Sequence, residues 1–190
     1  MTIHRWSRRF LAAAAASAVL LAAGCSSNES AVPTAETTEA PPSKVIPYSL
    51  PTLDLTVVNT DSPDDVALAF AKTAYTLLPR VDFNPNEGMV RAVPILDDKL
   101  AASVRAFDPP TGPGYEWNQW SKAGALVTAE VTLGTQEVPP QTPTEAYRMV
   151  QVTQTIESST RFIARKSFVL LVSMVNSPAG WKVNRITQLT

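Results

Sequence analysis

The apolar residues of this chain repeat with a helical period before residue 108 and with a period of two after residue 125. One type of element cannot satisfy both patterns, because a helix returns to the same face after about 3.6 residues and a strand after two. Helical patterns come first and strand patterns follow. This order predicts an α+β fold in which the helices pack on one face of a curved antiparallel sheet.

Two helices are predicted ahead of the change in period. The first covers residues 63–78, because Ser62 can cap it and Pro63 suits the first helical position. Its apolar side consists of Val66, Phe70, Ala74, Leu77 and Leu78. The second covers about residues 94–107 and ends at the Pro- and Gly-rich segment 108–114.

Four strands are predicted after residue 125. The alternation of the first strand indicates one buried face. The third is apolar on both faces at Phe168–Val172, which predicts an interior position in the sheet. The predicted strands cover residues 125–134, 147–156, 164–175 and 181–189.

The single cysteine, Cys25, and the single histidine, His4, both lie in the first 25 residues. An internal disulfide needs two cysteines, and the usual zinc sites and Ser-His-Asp groups need side chains that the rest of the chain lacks. We therefore expect no metal and no cofactor. The chain has 16 Lys and Arg against 17 Asp and Glu, without a basic run, so we expect no nucleic-acid partner.

Residues 1–24 are typical of an export signal, with basic residues followed by the apolar run Phe10–Ala23. This run is shorter than the about 20 apolar residues of a membrane span. It ends in Leu-Ala-Ala-Gly before Cys25, which resembles the lipobox of bacterial lipoproteins. The resemblance implies that Cys25 is lipidated, becomes the first mature residue and anchors the protein at the extracytoplasmic face of the cell membrane. Arg8–Arg9 leaves a twin-arginine export route open.

Residues 25–56 are predicted to comprise the lipidated cysteine and a disordered tether rich in Pro, Ser and Thr. Within it, residues 45–50 are apolar enough to dock on the domain instead. The folded domain is predicted to cover residues 57–190.

The order of elements resembles the nuclear transport factor 2-like (cystatin-like) superfamily: a capped helix, a second helix, a Trp-containing junction and long strands closing in Gly180–Val183. The junction Trp117–Trp120 is similar to envelope proteins of this superfamily in Gram-positive conjugation and type IV secretion systems. The resemblance covers residues 57–190. It implies a sheet folded around a conical cavity, in the envelope of an actinobacterial type of cell.

Four aromatic residues are candidates for contacts with a ligand or partner, and a packing role in the core is the other interpretation of each. They are Tyr75, Trp117, Trp120 and Tyr147. Asp82 is either a carboxylate base for a histidine-free enzyme or a turn residue. A basic cluster before the third strand is either a solvated loop or a contact to anionic lipid headgroups. It consists of Arg161, Arg165 and Lys166.

These observations predict a lipid-anchored cell-envelope protein whose domain acts as a binding or scaffold module and not as an enzyme. Its expected partners are the membrane, through Cys25, and an envelope protein. The resemblance adds a place in a conjugation- or secretion-type assembly. Two alternatives stay open: a carrier of small apolar ligands, and a histidine-free enzyme of the isomerase or dehydratase type.

Overall fold

The computed structural model describes residues 43–189, which belong to one compact unit, Pro41–Thr190. The predicted signal peptide, Cys25 and the first part of the predicted tether lie outside the described residues. The predicted α+β class is confirmed, since four helices pack on a four-stranded antiparallel sheet that does not close into a barrel.

The helices precede the strands along the chain. They are α1 (Pro63–Tyr75), α2 (Asn86–Arg91), α3 (Asp98–Arg105) and α4 (Tyr115–Lys122). Short 3-10 turns cover Leu55–Val57 and Val93–Ile95.

The sheet is a meander in which each strand pairs with the next one along the chain. The strands are β1 (Leu126–Leu133), β2 (Glu145–Glu157), β3 (Phe162–Ser177) and β4 (Gly180–Leu189). All four predicted strands are confirmed, and β2 and β3 extend one or two residues beyond the predicted ends. The predicted interior position of the third strand is also confirmed, because β3 pairs with β2 on one side and β4 on the other.

The start of α1 agrees with the prediction, since Ser62 Oγ accepts a hydrogen bond from the Asp65 amide at 3.3 Å. Its predicted end is wrong by three residues. Leu77 exchanges two backbone hydrogen bonds with Val127 of β1, at 2.8 and 2.9 Å. These bonds replace helical ones, so α1 ends at Tyr75.

The single helix predicted at residues 94–107 is also wrong, because tertiary pairing divides that segment. Leu96 is extended and forms a parallel bridge to Val183 of β4. Asp97 then caps α3 by accepting a hydrogen bond from the Leu100 amide at 2.7 Å.

The sequence patterns do not predict α2 or α4. α2 crosses α1 so closely that a Cβ atom on Gly88 would lie 2.0 Å from the carbonyl oxygen of Ala74. α4 follows Gly114, whose φ of 94° is rare for any other residue. Both helices therefore depend on a glycine for a reason that hydrophobic periodicity does not detect.

The main core lies between the helices and the sheet. Its largest fully buried side chains include Phe70, Ile95, Leu170, Val172 and Met174. Leu53, Leu55 and Val58 pack against this core, and the Leu53 amide donates to the Arg91 carbonyl at 3.0 Å. The folded unit therefore includes residues that the sequence analysis assigned to the tether.

Candidate functional site

An apolar pocket of about 490 Å³ lies where the end of α1 faces the start of α2 and the loop 107–113. Its lining includes Tyr75, Leu77, Asn84, Met89, Phe107 and Pro110. The pocket exists because the chain leaves the helical path after Tyr75 and because the proline-rich loop stays apart from α1. It is the candidate binding site of the domain.

Tyr75 is the predicted site residue that the structure places in this pocket. Its ring packs against Phe168 of β3, with centroids 5.1 Å apart and planes inclined by 59°. Its backbone carbonyl accepts a hydrogen bond from Gln154 Nε2 at 2.7 Å. Burial raises the pKa of the Tyr75 phenol. Tyr75 therefore stays neutral at physiological pH.

The remaining polar side chains of the pocket are the amides Asn84 and Asn86 and the hydroxyl-bearing Thr111. The Asn84 side chain accepts a hydrogen bond from the Asn86 amide at 2.7 Å, and Asn86 Nδ2 donates to the Val104 carbonyl at 3.1 Å. Phe107, in contrast, leaves 53% of its surface exposed at the rim. The pocket can thus bury an apolar group of a ligand against Phe107 and Met89, while the uncharged polar side chains offer hydrogen bonds to it.

Asp82, the candidate carboxylate base, is held in a buried ion pair outside the pocket lining. Its two oxygens lie 2.6 and 3.1 Å from the terminal nitrogens of Arg91. Asp82 also accepts a hydrogen bond from the Leu78 amide at 2.7 Å, and Arg91 donates to the Thr76 carbonyl at 2.9 Å. The pair fixes the segment after α1, which agrees with the turn interpretation.

Trp117 and Trp120 are packing residues of a second, smaller core under α4. They are 5% and 8% exposed, and their ring centroids lie 6.3 Å apart. Leu77 and Ile156 belong to the same cluster. The two indoles therefore do not form an exposed aromatic patch for a ligand or partner, and the exposed aromatic side chain of α4 is Tyr115.

Tyr147 lies on the face of the sheet opposite Tyr75. It pairs in register with Ser173, an odd number of residues from Phe168, so the two β3 positions face opposite sides. The Tyr147 hydroxyl donates to Glu145 Oε2 at 3.1 Å, and this hydrogen bond raises the pKa of the phenol. The structure therefore does not bring Tyr75 and Tyr147 together in one pocket.

Sequence reasoning missed Met89 and Phe107 as pocket residues. The first lies on α2, which the patterns assigned to a loop, and the second was assigned to the buried side of a helix. The Pro- and Gly-rich segment 108–114 was the available signal, since a rigid loop that follows an aromatic residue can fix that residue at the side of a pocket.

The part of the chain that the structure describes, residues 43–189, offers neither a cluster for a metal ion nor a membrane-spanning helix. Within this range, no three His, Cys, Asp or Glu side chains come together in a way that could hold a metal ion. No helix in the same range has both the length and the apolar character needed to cross a membrane.

Comparisons with known proteins give little further information. No family model matches the chain, and no curated protein matches it at a significant level. One solved structure that it matches is the intermembrane space region of chloroplast protein ARC6, at 11% identity and a TM-score of 0.37. The match covers 68% of this chain and 98% of that one.

Proposed function

We propose that this chain is a lipid-anchored cell-envelope protein whose α+β domain is a non-catalytic binding module. The observation that carries the binding role is the pocket at Tyr75, which is lined by apolar side chains, a neutral phenol, two amides and the hydroxyl-bearing Thr111. Such a lining stabilises a complex by burying apolar surface and aligning a few hydrogen bonds. The proposal contains no catalytic step.

The proposal includes a specific fold for the domain, the nuclear transport factor 2-like cone. Its support is the order of helices and strands and the packing of α1 against β1, β2 and β4. Phe70, Leu170 and Met174 fill the space between the helices and the sheet. The apolar pocket lies beside this core, at the end of α1.

The anchor rests on the lipobox-like segment that ends in Cys25. A diacylglyceryl group would hold the protein stably, since two acyl chains bind a bilayer where one chain binds only marginally. Metabolic labelling with a fatty acid should tag the wild-type protein and leave Cys25→Ser untagged. A tagged Cys25→Ser variant would remove the anchor from the proposal.

The binding role is tested with Nile red, a neutral apolar dye, because neutral charge limits its interaction with charged surfaces. Dye fluorescence should report binding, and Phe107→Ala should weaken that binding by about tenfold through loss of buried apolar contact. Phe83→Ala is the matched control, since Phe83 is exposed and does not line the pocket. Equal effects of the two variants would place the dye elsewhere.

The pocket also favours a second candidate function, a carrier of a small apolar molecule. A volume of about 490 Å³ lies in the range of ligand pockets and would equally accept a few side chains of a protein partner. Protein purified from its own membrane, extracted with organic solvent and analysed by mass spectrometry distinguishes the two. A compound present with wild type and depleted with Phe107→Ala identifies a carrier.

The place in a conjugation- or secretion-type assembly is the most specific part of the proposal. Its support is the Trp117–Trp120 junction, which forms the middle of α4. Deletion of the gene should reduce conjugative transfer or protein secretion, and restoration of the chain should recover it. Unchanged transfer and secretion would remove this assembly from the proposal, and only the general binding role would remain.

A further inference from the structure

A second depression, which we call the basic groove, has a different chemistry from the apolar pocket. It has a volume of about 720 Å³ and lies between residues 46–48, residues 78–81 and the turn that joins α4 to β1. Two exposed cations, Arg80 and Lys122, line it together with the hydroxyl-bearing residues Tyr48, Ser121 and Ser159. The described residues that line the groove include no carboxylate.

Three acidic side chains close to the groove residues in sequence are paired with other cations. Glu157 forms an ion pair with Lys44, Glu116 with Lys166, and Asp82 with Arg91. None of the ion pairs among residues 43–189 uses Arg80 or Lys122. The whole chain has a net charge of −1, so the positive charge of the groove comes from local placement and not from overall composition.

The rim of the groove carries exposed apolar and aromatic side chains. Tyr48 is 97% exposed, and Val81 is more than half exposed. The turn between β2 and β3 brings Arg161 and Phe162 to the same end, because Ser159 of that turn lines the groove. Aromatic rings beside cations are the combination that the interface of an anionic bilayer attracts.

The chain also enters the domain at this end. The Lys44 amide donates a hydrogen bond to the Ser159 carbonyl at 3.2 Å, next to the groove. Only residues 26–43 separate Lys44 from Cys25 in the sequence. An anchor at Cys25 would therefore be joined to the domain at its β2–β3 end.

We propose that the basic groove is the membrane-facing surface of the domain and binds the phosphate of an anionic lipid headgroup between Arg80 and Lys122. The inference deepens the proposed function and rests on the anchor at Cys25 for its biological setting. It also revises the predicted basic cluster. Lys166 pairs with Glu116 and lies 4.8 Å from the Trp120 ring, whereas Arg161 belongs to the β2–β3 turn that contributes Ser159 to the groove.

The test uses the unlipidated chain from Ser26 to Thr190, which contains the whole compact unit. Co-sedimentation is measured at low salt with vesicles of phosphatidylcholine, with and without phosphatidylglycerol. Wild type should bind only the anionic vesicles. Arg80→Gln with Lys122→Gln should weaken binding by about 30-fold, since each surface cation contributes about fivefold. Each single variant should show about half of this effect on a logarithmic scale.

The matched control is Lys99→Gln with Arg105→Gln, which removes the same charge from α3. Arg105 lies beside Val175 and Ser177, at the far end of β3, roughly 50 Å from the β2–β3 turn. The control should retain wild-type binding. Thermal melting of every variant checks the fold, and both groove cations are exposed, so their loss should not change the melting temperature.

Three results would overturn the proposal. Equal loss in the groove and control variants would indicate general attraction between charges. Absence of binding to anionic vesicles would exclude membrane docking. Soluble glycerol phosphate that binds the groove while vesicles do not would indicate a soluble phosphorylated ligand. Because the chain tested carries no lipid, none of these results depends on whether Cys25 is labelled.

Discussion

The two depressions of this domain lie on either side of one short extended segment and differ in chemistry. Leu77 lines the apolar pocket, and the next residue, Leu78, lines the basic groove. Successive side chains of an extended backbone point in opposite directions, so a single strand-like segment contributes to two surfaces. Had α1 continued to residue 78, as its pattern predicts, this division would not exist.

The comparison also shows what holds both surfaces in place. The Asp82–Arg91 pair binds the backbone of the segment at Thr76 and at Leu78. The same ion pair therefore supports the pocket and the groove, although the two depressions differ in the ligands that they can bind. Variants can separate the support from the two surfaces.

The largest effect is expected for Asp82→Ala, which leaves the Arg91 guanidinium without its carboxylate. Both side chains are largely buried, so the free energy of unfolding should fall by about 3–5 kcal/mol. Urea denaturation measures the change. Asp61→Ala, at an exposed aspartate, should cost no more than about 0.5 kcal/mol. A similar small cost for Asp82→Ala would show that the pair is not the shared support.

A smaller loss, about 3 kcal/mol, is expected for Trp120→Ala, because truncation leaves a cavity in the core under α4. Under conditions where the variant is folded, its affinity for Nile red should stay within about twofold of wild type, which is a binding free-energy difference of about 0.4 kcal/mol or less. Phe107→Ala should show the reverse, with weaker dye binding and little loss of stability. A large loss of dye affinity in Trp120→Ala would show that packing in the tryptophan cluster also determines the shape of the pocket.

The smallest effect concerns the pH dependence at Tyr75. Burial raises the pKa of Tyr75 in the folded state, whereas an unfolded tyrosine titrates near about 10. The stabilisation from the neutral phenol is complete below the unfolded pKa and is lost as the pH rises through the folded pKa. Denaturation at alkaline pH should therefore show a steeper fall in stability for wild type than for Tyr75→Phe.

Tyr147→Phe is the comparison for that measurement. The pKa of Tyr147 is raised by its hydrogen bond to Glu145, but its side chain faces the open side of the sheet. Solvent screens such an exposed pair, so its removal should change the alkaline slope less than Tyr75→Phe does. An equal change would mean that burial is not what distinguishes Tyr75.

Much of the fold could be predicted from local patterns, whereas the site could be predicted only in part. The Ser62 cap acts within a few residues and is confirmed. The alternation in β1 holds at Val127 and Ala129, whereas Leu126 is also buried and Leu133 is exposed. The end of α1 and the break at Leu96 depend on strands that follow much later in the chain. Tyr75 was a candidate from sequence, but its companions Met89 and Phe107 reach the pocket only through tertiary packing.

The sequence by itself determined that helices precede strands, the interior position of β3 and the prediction of a lipid anchor at Cys25. These depend on residue type and on spacing along the chain. The tertiary structure decided which aromatic residues are buried, which carboxylate is paired and which face each residue after α1 presents. Those outcomes depend on contacts between residues far apart in sequence, such as Leu77 with Val127 and Lys44 with Ser159, which a local pattern does not contain.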